Sequence, residues 1–205
     1  MAAIGSGLSL LQQGRASFGR IGAVLETSPD VIDLGKSYVE RFEQLEIRNL
    51  TYSYPGATHP ALQNFSLTLK RGEVLGIVGP VGIGKSTLVQ LLGRIRPAPS
   101  KTIFVNGEPI ENFSIEAWRT RLAVAPQDTF LFSRTVEENI LFGQLNMDTS
   151  EALLNPEAIR HADSVALREE IERLPLGFRA WLGEKGVNLS GGQRQRMTIA
   201  RALAH

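Results

Sequence analysis

The chain has 205 residues, 42% of them hydrophobic and 21% charged, which is ordinary for one substantial globular domain with room for a subdomain. Its formal net charge of +1 gives no electrostatic reason to expect nucleic acid or an anionic membrane surface as a partner. Because the sequence contains no cysteine, a disulfide framework, a thiolate metal site and a cysteine nucleophile are excluded for these residues.

The N-terminal segment starts with small and apolar residues over positions 2–11. This run is shorter than the roughly 20 residues of a membrane-spanning helix, and no basic residues precede it as in a signal peptide. Apolar residues at helical spacing, among them Leu11, Phe18 and Leu25, predict a helix over residues 8–26. Two interpretations stay open: the end of an amphipathic helix or a poorly ordered tail, and the last part of a spanning helix that begins upstream.

A change of pattern after about residue 44 predicts β-strands. Leu45 and Ile47 alternate with charged residues, and the alternation returns over residues 65–69. Residues 73–78 form a nearly continuous apolar run, which is typical of a strand buried on both faces. Residues 102–105 and 122–125 are further short strand candidates.

A glycine-rich stretch follows the apolar run, and leucines at helical spacing then predict a helix over residues 85–95. Strand, glycine loop and helix in this order are the context of a phosphate-binding loop. The motif is Gly79-Pro80-Val81-Gly82-Ile83-Gly84-Lys85-Ser86-Thr87. The alternative is a glycine turn that happens to precede a lysine.

Each residue type in this motif has a chemical reason. A triphosphate is held well by backbone N–H groups, and the three glycines are expected to give them room and the positive φ angles of the wrap. Lys85 is expected to place a cation against the β and γ phosphates, and the Ser86 hydroxyl to bind magnesium. Thr87 is expected to assist at the α or β phosphate.

The region after about residue 134 lacks strand patterns and is predicted to be helical. Asn155 and Pro156 form a helix start, with a capping side chain followed by a proline in the first turn. Apolar residues from Ile159 to Leu174 then mark one helix face. Residues 135–188 are therefore predicted to form a helical subdomain inserted into an α/β domain.

The second motif is Leu189-Ser190-Gly191-Gly192-Gln193. By itself, Ser-Gly-Gly is a turn before a helix and another potential anion site. Together with the phosphate loop upstream, the pentapeptide resembles the signature of ATP-binding-cassette (ABC) ATPases. The resemblance covers residues from about 43 to 205. It implies an α/β fold: a P-loop NTPase core with an antiparallel β-subdomain and an inserted helical subdomain, incomplete at the C-terminus.

Three further positions match motifs of this family. Tyr54 resembles the aromatic residue that stacks on adenine; the alternative is a tyrosine packed at a strand end. Gln127 resembles the glutamine that contacts magnesium and the attacking water and links the site to the helical subdomain and the membrane partner; the alternative is an exposed loop amide. Glu184 resembles the acidic coupling loop of exporters, the alternative being a solvated charge in a turn.

The histidines His59, His161 and His205 are not expected to bind a metal, because none has a second ligand at metal spacing. His161 is expected on the polar side of its helix. The family has a histidine that contacts the γ-phosphate, but it lies on a later strand. None of these three is expected to take that role.

Residues 1–42 resemble the end of the last transmembrane helix and the linker of ABC exporters. The resemblance therefore implies a linker over 1–42, a partial nucleotide-binding domain over 43–205, and a transmembrane domain fused upstream. The family's Asp-Glu strand, which carries the catalytic glutamate, and its switch histidine would follow residue 205. Residues 1–205 alone are therefore expected to be unstable and inactive, so an incomplete reading frame is one alternative.

The implied function is that of the ATP-binding and ATP-hydrolysing cassette of an ABC exporter, with ATP and Mg²⁺ as cofactors. Lys85 and Gln127 are the expected catalytic residues, and Ser86 and Gln127 the expected magnesium ligands. A second cassette, identical or divergent, is the implied partner, each ATP lying between the loop of one cassette and the signature of the other. The implied location is the cytoplasmic face of the cell membrane. The rival interpretation is a soluble ABC ATPase without a membrane domain.

Overall fold

The structure is a computed structural model that describes residues 2–144, 154–183 and 189–205. The chain divides into two compact units, Met1–Ile115 and Glu116–His205. The elements of the first unit are helix α1 (Ala2–Leu25), strands β1 (Gln44–Tyr52) and β2 (Leu62–Lys70), helix α2 (Lys85–Leu92), and strands β3 (Ile103–Val105) and β4 (Glu108–Pro109).

Helix α1 confirms the helix predicted near the N-terminus and begins earlier than expected. The large apolar side chains that it carries from Leu11 to Leu25 are exposed to solvent. Among the described helices, none combines the length and the apolarity that crossing a membrane requires.

The first unit contains an antiparallel sheet in the order β2-β1-β3-β4. Strand β1 pairs with β2 on one side and with β3 on the other, where Leu45 lies opposite Val105 and Ile47 opposite Ile103. All four of these apolar side chains are buried, so the alternating pattern correctly identified the inner face of the sheet. The strands predicted around residue 45, over 65–69 and over 102–105 are thus found as β1, β2 and β3.

The strands predicted over residues 73–78 and 122–125 are not formed. In the first of these segments Val74 is 97% and Val78 is 94% exposed. A strand exists only where its N–H and C=O groups bond to a neighbouring strand, and neither segment belongs to a ladder in the described residues. The apolar run correctly indicates a preference for burial, but the prediction of a buried strand is wrong for this chain.

The segment that precedes β1 packs against the turn after β4. The Ser37 N–H donates to the Asn112 carbonyl at 3.0 Å, and the Ser37 hydroxyl donates to Glu108 at 2.7 Å. A Cβ atom at Gly35 would lie 2.0 Å from the Phe113 carbonyl oxygen. Only glycine therefore permits this approach of the two backbones.

The second unit is helical in its described residues after residue 134. Its elements are α3 (Ile115–Arg119), which begins at the boundary, α4 (Val136–Ile140), α5 (Pro156–Ser164), α6 (Arg168–Glu172) and α7 (Gly191–Ala204). Helix α7 packs against α4 and α5. The core of this unit includes large apolar side chains that are almost completely buried: Leu131, Val136, Ile140, Leu167, Ile171, Leu182 and Met197.

The predicted helix start at Asn155 and Pro156 is confirmed, because the Asn155 side chain accepts the Glu157 N–H at 2.9 Å. The prediction of one continuous helix face as far as Leu174 is wrong. The chain leaves the helical conformation at Ala166, where φ is +51°, and α6 starts afterwards. No glycine or proline marks this break, so the sequence pattern alone does not reveal it.

The expected position of His161 on the polar side of its helix is also wrong. His161 is 8% exposed, and its Nε2 atom lies 3.4 Å from the Glu157 carboxylate one turn earlier on α5. Residues three apart share a helix face, so His161 lies on the same side as Ala158, which is fully buried.

Among the described residues of the second unit, the most completely buried polar side chain is that of Asn139 on α4, which is 0% exposed. Its oxygen accepts the Phe132 N–H at 2.9 Å. Its amide nitrogen donates to the Phe132 carbonyl at 3.0 Å and to the Thr135 carbonyl at 2.9 Å. The amide therefore folds the chain before α4 back onto the helix.

Replacing Asn139 with leucine should lower the free energy of unfolding by about 2–4 kcal/mol, because buried backbone groups lose their partners. Urea denaturation followed by tryptophan fluorescence measures the change, since Trp118 and Trp181 both lie in the second unit. The matched control is Gln195→Leu at an exposed amide of the same unit, for which we expect a change within about 0.5 kcal/mol. Equal effects of the two substitutions would contradict the role given to Asn139.

Candidate functional site

The glycine loop of residues 79–84 leads directly into α2, as the motif predicts. The residue before the helix, Gly84, has no side chain to cap the first turn. The first N–H groups of a helix have no partner within the helix, and its dipole favours negative charge at this end. The start of α2 is therefore chemically suited to hold a phosphate group.

Two glycines of the loop are required by its backbone. Gly84 has φ +96°, and a Cβ atom on it would lie 2.2 Å from the Ala61 carbonyl oxygen. Gly82 has φ +88°. The expected positive φ is wrong for Gly79, which does not adopt that conformation; a Cβ there would instead come within 3.0 Å of the Ile83 side chain.

The Lys85 side chain folds back over the loop. Its Nζ atom donates to the Gly79 carbonyl at 2.6 Å and to the Pro80 carbonyl at 2.8 Å. Hydrogen bonds from an ammonium to an ionised oxygen are stronger than those to a neutral carbonyl. Lys85 is therefore placed to exchange these carbonyls for phosphate oxygens. The next side chain, Ser86, is exposed and accessible to a metal ion.

Tyr54 is bonded to the phosphate-loop helix. Its hydroxyl lies 2.9 Å from the Thr87 hydroxyl, which belongs to a side chain only 5% exposed. Its ring meets the Tyr52 ring edge to face, with 5.3 Å between the centroids. Tyr54, which is expected to stack on the nucleotide base, is thus connected to Thr87, which is expected to contact the phosphates.

A further side chain at this place, Arg96, was not identified from the sequence. The centre of its guanidinium lies over the Tyr54 ring, 4.8 Å from the centroid, and its Nε atom donates to the Gln90 side chain at 2.9 Å. Arg96 follows α2 at a turn with two nearby prolines, and no local pattern singles it out. Only the fold brings it to the tyrosine.

In the second unit, the signature residues begin helix α7. Ser190 is the N-cap: its hydroxyl accepts the Gln193 N–H at 3.2 Å, and the Gln193 side chain accepts the Ser190 N–H at 2.7 Å. This reciprocal pair is a capping box. Gly191 and Gly192 form the first turn, and Leu189 is buried beneath it.

Gln193 has a second partner that the sequence did not indicate. Its amide nitrogen donates to the Glu170 carboxylate of α6 at 2.8 Å, and the other oxygen of that carboxylate accepts from Arg196 at 2.5 Å. The carboxylate thus joins α6 to the first two turns of α7. The capping box that fixes Ser190 is therefore itself fixed by an ion pair.

Arg201, further along α7, connects the signature helix to the chain before α4. Its guanidinium donates to the Asn139 carbonyl at 2.8 Å, to the Phe130 carbonyl at 2.9 Å and to the Asn139 side-chain oxygen at 2.8 Å. It also lies 5.2 Å from the centre of the Phe132 ring. Burial lowers the pKa of the Arg201 guanidinium from its ordinary value.

Two further positions, Gln127 and Glu184, were predicted to be functional. Gln127 is exposed in an irregular segment of the second unit, whereas the phosphate loop belongs to the first unit. Its magnesium and water contacts therefore stay predictions. Glu184 lies outside the described residues, so its coupling role also stays a prediction.

The residues of the first unit fit a magnesium–nucleotide complex. The close approach at Gly84 leaves no room for a side chain, and Lys85 is held over the loop by neutral carbonyls. The exposed Ser86 hydroxyl is an oxygen donor, and oxygen is the atom type that Mg²⁺ takes as a ligand. A cation, backbone N–H groups and a hydroxyl are therefore all provided by one short segment of the chain.

Comparison with known proteins agrees with this chemistry. The model of the ABC transporter family matches residues 62–205. A multidrug resistance-like ATP-binding protein, MdlA of Escherichia coli, is 39% identical over 99% of this chain and 33% of its own length. An ATP-dependent lipid A-core flippase of Colwellia psychrerythraea is 41% identical over 83% of this chain and 29% of its own length.

Among solved structures, a bacterial Atm1-family ABC exporter with ATP bound is similar to this chain with a TM-score of 0.81 and 30% identity. The match covers 94% of this chain and 33% of that structure. The chain thus spans about a third of the length of the relatives that it matches.

Proposed function

The chain belongs to the ABC transporter family and has the ABC ATPase fold, and from this we propose that it is the ATP-binding and ATP-hydrolysing cassette of an ABC exporter. The observation that carries the proposal is the phosphate loop: a helix start without a side-chain cap, with Lys85 held over it by two exchangeable carbonyls. The named relatives, a multidrug resistance-like protein and a lipid A-core flippase, support export as the direction of transport.

In the proposed reaction Lys85 exchanges the Gly79 and Pro80 carbonyls for the β and γ phosphate oxygens and neutralises the charge that develops there. Ser86 and Gln127 would hold magnesium, which would supply positive charge to neutralise the phosphates. Gln127 would also orient the attacking water. Gly82 and Gly84 already have the positive φ angles expected of the wrap, so this part of the loop is prepared for binding.

The proposed partner is a second cassette, the same or divergent, whose signature residues 189–193 complete the site. Ser190 would then contact the γ phosphate held by the loop of the other cassette. Residues 1–42 would join the cassette to an upstream membrane domain, residues 135–188 would form the helical subdomain within 43–205, and Glu184 would lie in the coupling loop. The cassette would face the cytoplasm.

Membrane fractionation of the full-length protein tests this proposal. We expect it in the membrane pellet, with ATP added outside hydrolysed by inverted vesicles and not by sealed right-side-out vesicles. Permeabilising the right-side-out vesicles should restore hydrolysis, which controls for loss of the enzyme. Recovery of an active ATPase in the high-speed supernatant without detergent would instead support the soluble ABC ATPase.

Tyr54 provides a more local test. Base–aromatic stacking is worth about 1–3 kcal/mol on nucleic acids, so Tyr54→Ala should weaken ATP binding roughly 5- to 150-fold. Tyr54→Phe keeps the ring but loses the hydrogen bond to Thr87, and Tyr54→Trp likewise offers a ring without that hydroxyl. We expect both to be milder than alanine, as measured by equilibrium binding of ATP and GTP.

A stacked ring contacts the face of the base rather than its edge, so the parent protein should also tolerate GTP. If Tyr54→Ala and Tyr54→Phe weakened nucleotide binding equally, the hydroxyl and not the ring would be the part of Tyr54 that contributes to binding. That outcome would contradict the stacking role and leave Tyr54 as a support for Thr87.

A further inference from the structure

The Tyr54 ring is held from several sides within the first unit. Its hydroxyl lies 2.9 Å from the Thr87 hydroxyl and 3.5 Å from the Gln90 side-chain oxygen. The same Gln90 oxygen accepts from Arg96, whose guanidinium lies over the ring. Tyr54, Arg96 and the α2 side chains Thr87 and Gln90 therefore form one connected cluster.

Arg96 is itself fixed by the end of α2. Its backbone N–H donates to the Gln90 carbonyl, as does that of Ile95 at 2.9 Å. Arg94 has φ +49°, so the chain turns sharply as it leaves the helix. The guanidinium is thus anchored by backbone and side-chain bonds to one residue of the helix that starts at the phosphate loop.

A guanidinium that lies over an aromatic ring occupies one of the two faces of that ring. A base that stacks on the same ring then takes the opposite face, with the ring between them. A side chain that is ordered before binding loses less conformational freedom when its ligand arrives. The cluster therefore prepares the tyrosine for a base at a fixed position relative to the phosphate loop.

We propose that Arg96 is a positioning residue for the nucleotide base. Its guanidinium lies against one face of the Tyr54 ring and fixes the ring, so that the opposite face can bind the base while the phosphate loop binds the phosphates. The inference rests on the proposed function, since it assumes that the base stacks on Tyr54. In this proposal Arg96 does not contact the phosphates, and it affects nucleotide binding only through Tyr54.

The test compares a non-hydrolysable ATP analogue with inorganic triphosphate, both with Mg²⁺, by equilibrium binding to the full-length protein. Arg96→Ala should raise the Kd of the ATP analogue about 2- to 10-fold, the range expected for one ordered side chain, and leave that of triphosphate unchanged. Arg96→Lys should resemble alanine, because lysine keeps the charge but lacks the Nε donor that bonds to Gln90 and the planar group that lies over the ring. Arg71→Ala removes the same charge at an exposed site of the same unit and serves as the control.

The deciding measurement repeats Arg96→Ala in a Tyr54→Ala background, where the effect should disappear. Four outcomes would overturn the proposal: equal losses for both ligands, full rescue by lysine, a loss that persists without the tyrosine, or tighter binding once Arg96 is removed. Failure of the proposed function looks different, because the parent protein would then bind ATP no better than a Lys85→Ala variant.

Discussion

Replacing Lys85 with alanine should reduce ATP hydrolysis by the full-length protein to background, a loss of about 100-fold or more for a donor aimed at developing charge. In the described structure its ammonium is held above the phosphate loop by the Gly79 and Pro80 carbonyls. No other residue of the motif carries a positive charge. Phosphate release at saturating ATP is the measurement, so that weakened binding and slowed chemistry are separated.

The matched control is Lys70→Ala, which removes an exposed lysine of the same unit at the end of β2. It should retain the parent rate. Thermal unfolding should be similar for both variants, because the Lys85 side chain bonds only to carbonyls of an exposed loop. A Lys85→Ala protein that hydrolyses ATP at the parent rate would remove the phosphate-loop assignment.

The sequence predicted the parts of the fold whose signals are local. The phosphate loop, the start of α5 at Asn155 and the alternation in β1 each depend on a few consecutive residues with one physical requirement: positive φ, a capped N–H or one buried face. Each of these requirements holds wherever the rest of the chain lies. Such features are predictable without a structure.

Predictions that depended on contacts with other parts of the chain were less successful. The run at residues 73–78 has the composition of a buried strand, but a strand also needs ladder partners, and composition does not supply them. The break at Ala166 separates α5 from α6 without a glycine or proline. His161 is buried because Ala158 and Ala162 on its helix face the core, which its own polarity does not reveal.

The supporting network of the candidate site could not be predicted for the same reason. The bonds from Arg96 to Gln90, from Gln193 to Glu170 and from Arg201 to Asn139 join different elements, or an element to the turn beyond it. The motifs identified the residues expected to meet ATP. The residues that hold those side chains in place are identified only by the three-dimensional structure.

Ser190→Arg is expected to abolish turnover while leaving ATP binding to a single cassette intact. Within the proposed dimer, a large cation at the signature would prevent the two cassettes from closing on the nucleotide. Ser190 also caps α7, and losing an N-cap costs about 1 kcal/mol. Ser190→Ala is therefore the matched control, since it loses the cap without adding bulk, and it should retain more activity than the arginine variant.

A mixing experiment decides whether the signature acts across the dimer. Differently tagged proteins carrying Ser190→Arg and Lys85→Ala are produced together, and dimers that contain both are isolated by sequential capture on the two tags. Each single variant alone should be inactive. If every site combines the loop of one cassette with the signature of the other, the mixed dimer has one site with both defects and one with neither, so it should recover part of the parent ATPase rate. If the loop and the signature worked within the same cassette, both sites would be defective and the mixed dimer would be as inactive as the single variants, which would contradict the proposed arrangement.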